Sequence, residues 1–377
     1  MGYIMTDKQK DIQKMVHNFM ENEVAPYLDE YENDGIYPTE LHSKGFKVGL
    51  NTFEIPRQFG GAGCDYMTDL IIYEELGYWD AAYALTMCSI NLALKPVLLG
   101  GNDEQKQHFA DIIKEKGYVS FGLTEPNAGS DAGACATVAV RDGDDYVITG
   151  NKCFITNGSY AGAYVILART NVDKPKKELT AFIVEREREG LSIGTVENKM
   201  GIRMSNTTEV ILDNVRVPAA NRLGAEGQGF KWVMKTLDIS RPFVGAIAVG
   251  MAQRCLDEAL KYSKERITFG RPISKFEAVQ FMLADMEIKI QTARSMCVHA
   301  VNLMNAKQPF TKEASIAKCY STDILQQVAS DAIQIMGGYG YMKEYPVEKI
   351  FRDAKIFQIF EGTNQIQRVV ISGALLR

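Results

Sequence analysis

Hydrophobic positions recur at helical spacing through the first third of the chain. Ile12, Val16, Phe19 and Met20 share one stripe, and Val24 extends it. Pro26 and Pro38 punctuate this segment. Gly60-Gly61-Ala62-Gly63 forms a glycine-rich loop between helical stretches, and residues 67–95 are dense in Leu, Ala, Ile and Met and read as buried helix. The period changes near residue 119. Short apolar runs (Tyr146–Thr149, Tyr164–Leu167, Ala181–Val184, Val210–Leu212) now alternate with turn chemistry such as Arg141-Asp142-Gly143-Asp144-Asp145 and Asn157-Gly158. Helical spacing returns after Gly229, with Ile247, Met251, Cys255, Leu256, Ala259 and Leu260 near one face, then over roughly 274–306 and 312–336. The pattern predicts an α+β multidomain chain: a helical unit over 1–118, an all-β unit over 119–222 and a second helical unit over 223–377.

Bulk properties narrow the function classes. A chain of 377 residues exceeds one simple core, and a net charge of −5 favours neither nucleic acid nor an anionic membrane as partner. No apolar run is expected to reach bilayer-spanning length, and the N-terminus lacks the basic segment and apolar core of a secretory signal. The cysteine count of 7 is odd and the residues are scattered, which predicts free thiols and a cytoplasmic setting. The 4 histidines are equally dispersed, so no metal site is expected.

Three segments carry candidate chemistry. Phe121-Gly122-Leu123-Thr124-Glu125-Pro126-Asn127-Ala128-Gly129-Ser130-Asp131 suits a tight loop whose amides and hydroxyls could bond a heterocycle or a phosphate, although plain turn composition reads the same way. Asn151-Lys152-Cys153-Phe154-Ile155-Thr156 places an aromatic beside a hydroxyl in a strand, fit to stack on a flat ring and bond its edge; by itself Phe154 reads equally as a core residue. In Ile356-Phe357-Gln358-Ile359-Phe360-Glu361-Gly362-Thr363-Asn364-Gln365 an acid follows an apolar stretch, where burial raises a carboxyl toward general-base use, unless the acid is a solvated helix-end Glu. Gly224-Ala225-Glu226-Gly227-Gln228-Gly229 follows no buried βαβ strand and reads as a connection rather than a dinucleotide loop.

Taken together, these segments resemble the acyl-CoA dehydrogenase family, in content, order and spacing, over nearly the whole chain. Arg266-Ile267-Thr268-Phe269-Gly270-Arg271-Pro272, Gln334-Ile335-Met336-Gly337-Gly338-Tyr339-Gly340 and Arg352-Asp353-Ala354-Lys355 extend the match. The resemblance implies an N-terminal helical domain, a central β-barrel or sandwich domain, a C-terminal four-helix bundle, FAD as cofactor and a homotetramer. It implies that Phe121, Leu123, Thr124, Gly129, Ser130, Phe154, Ile155 and Thr156 contact the flavin. Arg266, Phe269, Gln280, Gln334, Gly337, Gly338, Thr363 and Gln365 would complete the dinucleotide site, part of it from a neighbouring subunit. Ser130, Asp238, Arg241, Glu361 and Gly362 would meet the acyl-CoA, although Arg241 also reads as a helix-end ion pair.

Some relatives carry their acid immediately before the arginine matched by Arg241; here that residue is Ser240, so the resemblance makes Glu361 the catalytic base, as in the short- and medium-chain branch. It implies removal of the α-proton by Glu361, a β-hydride passed to the flavin, and re-oxidation by an electron-transfer flavoprotein. The helix around Thr86–Pro96 is expected to line the acyl end, with Cys88, Asn91 and Leu92, and Lys95 nearby. Tyr83 stands where decarboxylating glutaryl-CoA dehydrogenases have arginine, which disfavours a dicarboxylate, and Asn91 reads as a satisfied helix polar residue. Two alternatives are an enoyl-CoA reductase running the chemistry in reverse and a flavin-free acyl-CoA-binding protein.

Overall fold

The computed structural model describes residues 4–171 and 178–376. The amino-terminal part is helical: α1 (Asp7–Phe19), α2 (Leu28–Asp34), α3 (Thr39–Lys47), α4 (Tyr66–Trp79), α5 (Ala81–Gly100) and α6 (Asp103–Lys116). The Val16–Phe19–Met20–Val24 stripe is buried in the main core, as the spacing predicts. The stretch 67–95 is not one helix. Asp80 adopts extended backbone between α4 and α5, and its carboxylate accepts from Tyr83 N at 2.8 Å to cap α5. Apolar density gave no signal of that break, which depends on a single capping acid. The expectation about apolar runs also needs correcting. Helix α5 is long and apolar enough to cross a membrane by length and composition, but 83% of its apolar stretch is buried inside the protein.

The middle of the chain holds β1 (Ser120–Gly122), β2 (Val138–Asp142), β3 (Asp145–Thr156), β4 (Ala163–Arg169), β5 (Leu179–Glu185), β6 (Leu191–Val196), β7 (Thr207–Pro218) and β8 (Arg222–Leu223). Their order is β6-β7-β3-β2-β4-β5-β8, with β1 parallel to β4. Side chains alternate across a strand, and β4 and β5 use both faces. Val165, Leu167, Ala181 and Ile183 join the helical core, while Tyr164, Ile166, Phe182 and Val184 fill the β core. Burial on two sides explains why these strands read as unbroken apolar runs.

Beyond β8 lie α7 (Gly229–Glu265), the short pair β9 (Ile267–Thr268) and β10 (Arg271–Pro272), α8 (Glu277–Asn305), α9 (Thr311–Met336), α10 (Pro346–Phe357) and α11 (Asn364–Leu375). Helices α7, α8 and α9 pack on one another, α10 and α11 lie against α9, and α7 also packs on α4. The α4–α7 approach depends on glycine. A Cβ on Gly77 would sit 2.4 Å from the Ile247 carbonyl oxygen, and one on Gly250 would sit 2.0 Å from that of Glu74. The β unit is tied to the first helices through Asn157, which donates to the Thr86 carbonyl at 3.1 Å and accepts from the Tyr37 hydroxyl at 2.9 Å.

Candidate active site

Glu361 lies in the short link between α10 and α11. Its backbone is left-handed (φ 52°), followed by Gly362 at φ 86°. For a non-glycine residue such a conformation is held only by surrounding contacts. Three groups hold it. The Lys318 ammonium donates to the Gly362 carbonyl at 2.8 Å and to Asn364 Oδ1 at 2.9 Å. Gln367 Nε2 donates to the carbonyls of Gly362 (2.9 Å) and Glu361 (3.3 Å). Thr363 caps α11 by accepting from Ile366 N at 3.2 Å.

The Ser240 hydroxyl donates to the Glu361 carboxylate. Burial raises the Glu361 pKa above the ordinary carboxylate value, opposed by the Ser240 bond and by the charges of Lys318 and Arg241. Both cations have other partners. Lys318 bonds the carbonyl and amide just described, and Arg241 pairs with Asp238 at 2.6 Å. That pair lies within α7 rather than at a helix end. Glu361 therefore remains an acid of raised pKa with, among the described residues, one direct donor on its carboxylate, a combination that suits proton transfer.

The first two segments are brought together at the edge of the β unit. Cys153 N donates to the Thr124 carbonyl at 2.9 Å. Beneath this contact Lys152, fully buried, pairs with Glu125 at 2.6 Å and donates to the Leu123 carbonyl at 3.3 Å. Thr137 Oγ1 adds a bond to Glu125 at 2.6 Å. Burial opposes the Glu125 charge, but Lys152 and these bonds outweigh it and bring the pKa down to about 2. Above this braced base Phe154 is exposed, on left-handed backbone (φ 57°), at an irregularity in the β3–β7 pairing. Gly129 and Ser130, on the first segment's loop, are exposed, and a Cβ on Gly129 would meet nothing within 4 Å. Ile155 differs from its neighbours: its side chain lies in the β core, so only its backbone can face a ligand there. Phe121 and Leu123 likewise pack partly against the helical core.

A third group collects around an open cleft of about 480 Å³ lined by Tyr262, Arg266, Thr268, Gly337, Gly338 and Tyr339 among others. The Arg266 guanidinium lies 5.9 Å from the centre of the Tyr339 ring. Added Cβ atoms at Gly337 and Gly338 would meet nothing within 4 Å, so the backbone is open to a ligand. Phe269, on left-handed backbone, is 91% exposed, and Gln280, Gln334 and Gln365 are exposed as well. Gln280 donates to the Ser274 carbonyl at 2.9 Å.

Family models describing the N-terminal, middle and C-terminal domains of acyl-CoA dehydrogenases match residues 6–114, 120–215 and 227–376. The chain belongs to the acyl-CoA dehydrogenase family. It is 43% identical to a probable acyl-CoA dehydrogenase of Bacillus subtilis over 100% of both chains. It is also 43% identical to the caffeyl-CoA reductase-Etf complex subunit CarC of Acetobacterium woodii, over 99% of each. The solved butyryl-CoA dehydrogenase of Megasphaera elsdenii superposes with a TM-score of 0.97 at 41% identity, covering 100% of both chains. The family's helix–β–helix architecture is the one found here.

For this family member, sequence reasoning missed several residues that build the site. In sequence Ser240 is only a position lacking an acid, yet it touches the carboxylate. Lys318 carried no signal, being one lysine in an ordinary helical pattern. Lys152 and Glu125 lay inside singled-out segments, but nothing local in sequence pairs residues 27 apart. No group of three or more His, Cys, Asp or Glu suited to a metal occurs among the described residues.

Proposed function

We propose that this chain binds FAD and dehydrogenates a short- or medium-chain acyl-CoA at the α,β bond, with Glu361 as the base. The observation that carries the reading is the Glu361 carboxyl itself, half-buried, raised in pKa and held on strained backbone by Lys318 and Gln367. The residues present fit the cofactor. Exposed Phe154 offers a stacking face beside Thr124 and Thr156, and the cleft holds Arg266 next to the open backbone of Gly337 and Gly338, a donor set suited to a diphosphate. Bound there, FAD would supply the acceptor for the β-hydride. Glu361 takes the α-proton, and its raised pKa brings the carboxylate closer in basicity to the carbon acid it must deprotonate. Asp238 fixes Arg241 near Gly362, where the pair can meet the CoA portion. Ser130, exposed on the first loop, is assigned to the substrate as well.

The exposed apolar side chains of Ile267, Phe269, Phe281 and Tyr341 support pairing with a second copy of the chain, in a tetramer whose Gln280, Gln334, Thr363 and Gln365 complete neighbouring cofactor sites. An electron-transfer flavoprotein is the proposed redox partner, since the similar caffeyl-CoA reductase subunit is named from a complex with one. That name also favours a second reading, in which the site runs as an enoyl-CoA reductase. The seven free cysteines suit a reducing compartment.

The test is the visible spectrum of the purified protein during anaerobic additions of saturated acyl-CoA thioesters. A yellow protein whose band bleaches with one thioester is the expected result. A yellow protein bleached by none, but re-oxidised after reduction by an enoyl-CoA, supports the reverse direction. A colourless protein that FAD cannot reconstitute overturns the assignment.

A further inference from the structure

Next to Glu361 the first helical unit buries a polar chain that the reaction does not use. Helix α5 presents Cys88, Asn91 and Lys95 along one face. Lys95 forms a buried ion pair with Glu54. The Tyr73 hydroxyl donates to Glu54 Oε1 at 2.7 Å and accepts from Asn91 Nδ2 at 2.9 Å. Asn91 Nδ2 also donates to the Met87 carbonyl at 3.2 Å. With both amide hydrogens engaged, Asn91 Oδ1 is buried without a donor among the described residues, in a residue only 1% exposed. The expectation of a satisfied helix asparagine is therefore met by half of the side chain.

This chain lies beside the reacting end of the site. Burial raises the Tyr73 phenol and the Cys88 thiol, and both also feel the Glu361 charge. Phe243 stands one helical turn beyond Ser240, the residue that touches Glu361, and its ring lies 5.4 Å from that of Tyr73 and 6.2 Å from that of Tyr66. The Lys95 ammonium sits 5.7 Å from the centres of both the Tyr66 and Phe243 rings. Aromatic rings, one unpaired acceptor and a closed ion pair thus lie together where α4, α5 and α7 meet.

Resting on the dehydrogenase reading, we propose that Asn91, braced by Tyr73, selects an acyl group whose far end carries a neutral hydroxyl. A hydroxyl brought to Oδ1 supplies the missing donor. An alkyl terminus leaves the acceptor unbonded and seals it from water, which a site built for hydrogen bonding discriminates against. A terminal carboxylate gains little, because Lys95 is already neutralised by Glu54 and a second buried anion would face the first. Tyr73 acts as a positioning residue, since it holds the Asn91 amide in the orientation that turns Oδ1 away from the network.

The experiment compares kcat/KM of the flavin-loaded enzyme for two matched pairs: pentanoyl-CoA against its terminally hydroxylated analogue, and phenylpropanoyl-CoA against its para-hydroxylated analogue. The expected result is a preference of about ten-fold or more for the hydroxylated member of at least one pair. In Asn91→Leu, and in the smaller polar variant Asn91→Ser if the first does not fold, that ratio should fall toward one. Equal or better use of the plain member in both pairs by the unmodified enzyme would overturn the proposal, as would a preference that survives both substitutions. Failure of every thioester to bleach the flavin would instead overturn the dehydrogenase reading on which the proposal rests.

Discussion

Glu125, buried in the β unit, and Glu361, half-buried between α10 and α11, have carboxyls driven in opposite directions. Glu125 meets burial with a lysine directly on its oxygens and with the Thr137 hydroxyl, and its pKa falls to about 2. Glu361 also has a lysine and an arginine nearby, but Lys318 is held by the Gly362 carbonyl and Asn364, and Arg241 by Asp238. Among the described residues only the Ser240 hydroxyl bonds its oxygens directly, and burial prevails. A nearby cation fixes a carboxylate when it bonds that carboxylate; when it bonds something else, the acid stays available for proton transfer.

The largest expected effect separates the two acids by activity. Glu361→Gln should lower the turnover of acyl-CoA by about a thousand-fold, the scale of a lost general base, as read from initial rates with an artificial electron acceptor. Stability should separate them the other way. Lys152→Met strands the Glu125 charge and should cost about 3–5 kcal/mol in denaturant unfolding. Glu361→Gln removes a charge that burial disfavours and should gain about 1 kcal/mol in the same assay.

Acid should expose the contrast without mutation. The folded pKa of Glu125 lies below its unfolded value, so the unfolded chain binds the extra proton. The stability it contributes, on the order of 3 kcal/mol, is present above the unfolded pKa and lost as pH falls from about 4.5 toward 2. Unfolding midpoints across that range in the wild type and in Glu125→Gln would read it as a steeper slope in the wild type. Glu361 has the opposite sign: its raised folded pKa makes it a stabilising group only below its unfolded pKa, with that contribution lost as pH rises. The smallest effect sharpens the account of Glu361 itself. The Ser240 bond and the Lys318 charge both lower its pKa, so Ser240→Ala and Lys318→Met should each move the acidic limb of the kcat/KM profile to higher pH.

Much of this was legible in sequence where periodicity carries the information. The helix–β–helix order followed from the change of period near residue 119 and its return after Gly229, and the motifs implied the family before any coordinates. The rest turned on contacts that spacing does not encode. The α4–α5 break depends on the Asp80 cap, and the doubly buried strands β4 and β5 show no alternation because each face meets a different core. Ser240 meets Glu361 across 121 residues and Lys318 meets Gly362 across 44, separations at which one sequence alone gives no pairing. Adjacency in sequence groups Ile155 with Phe154, but its side chain turns into the β core.

The most direct test of Glu361 as the base is exchange of the acyl-CoA α-hydrogen with deuterated water under anaerobic conditions, which reads proton transfer apart from re-oxidation. The wild-type holoenzyme should exchange the α-position, and Glu361→Gln should slow that exchange by at least about a hundred-fold while keeping its flavin spectrum and its affinity for the thioester. Exchange in Glu361→Gln at the wild-type rate would place the base elsewhere and contradict the account.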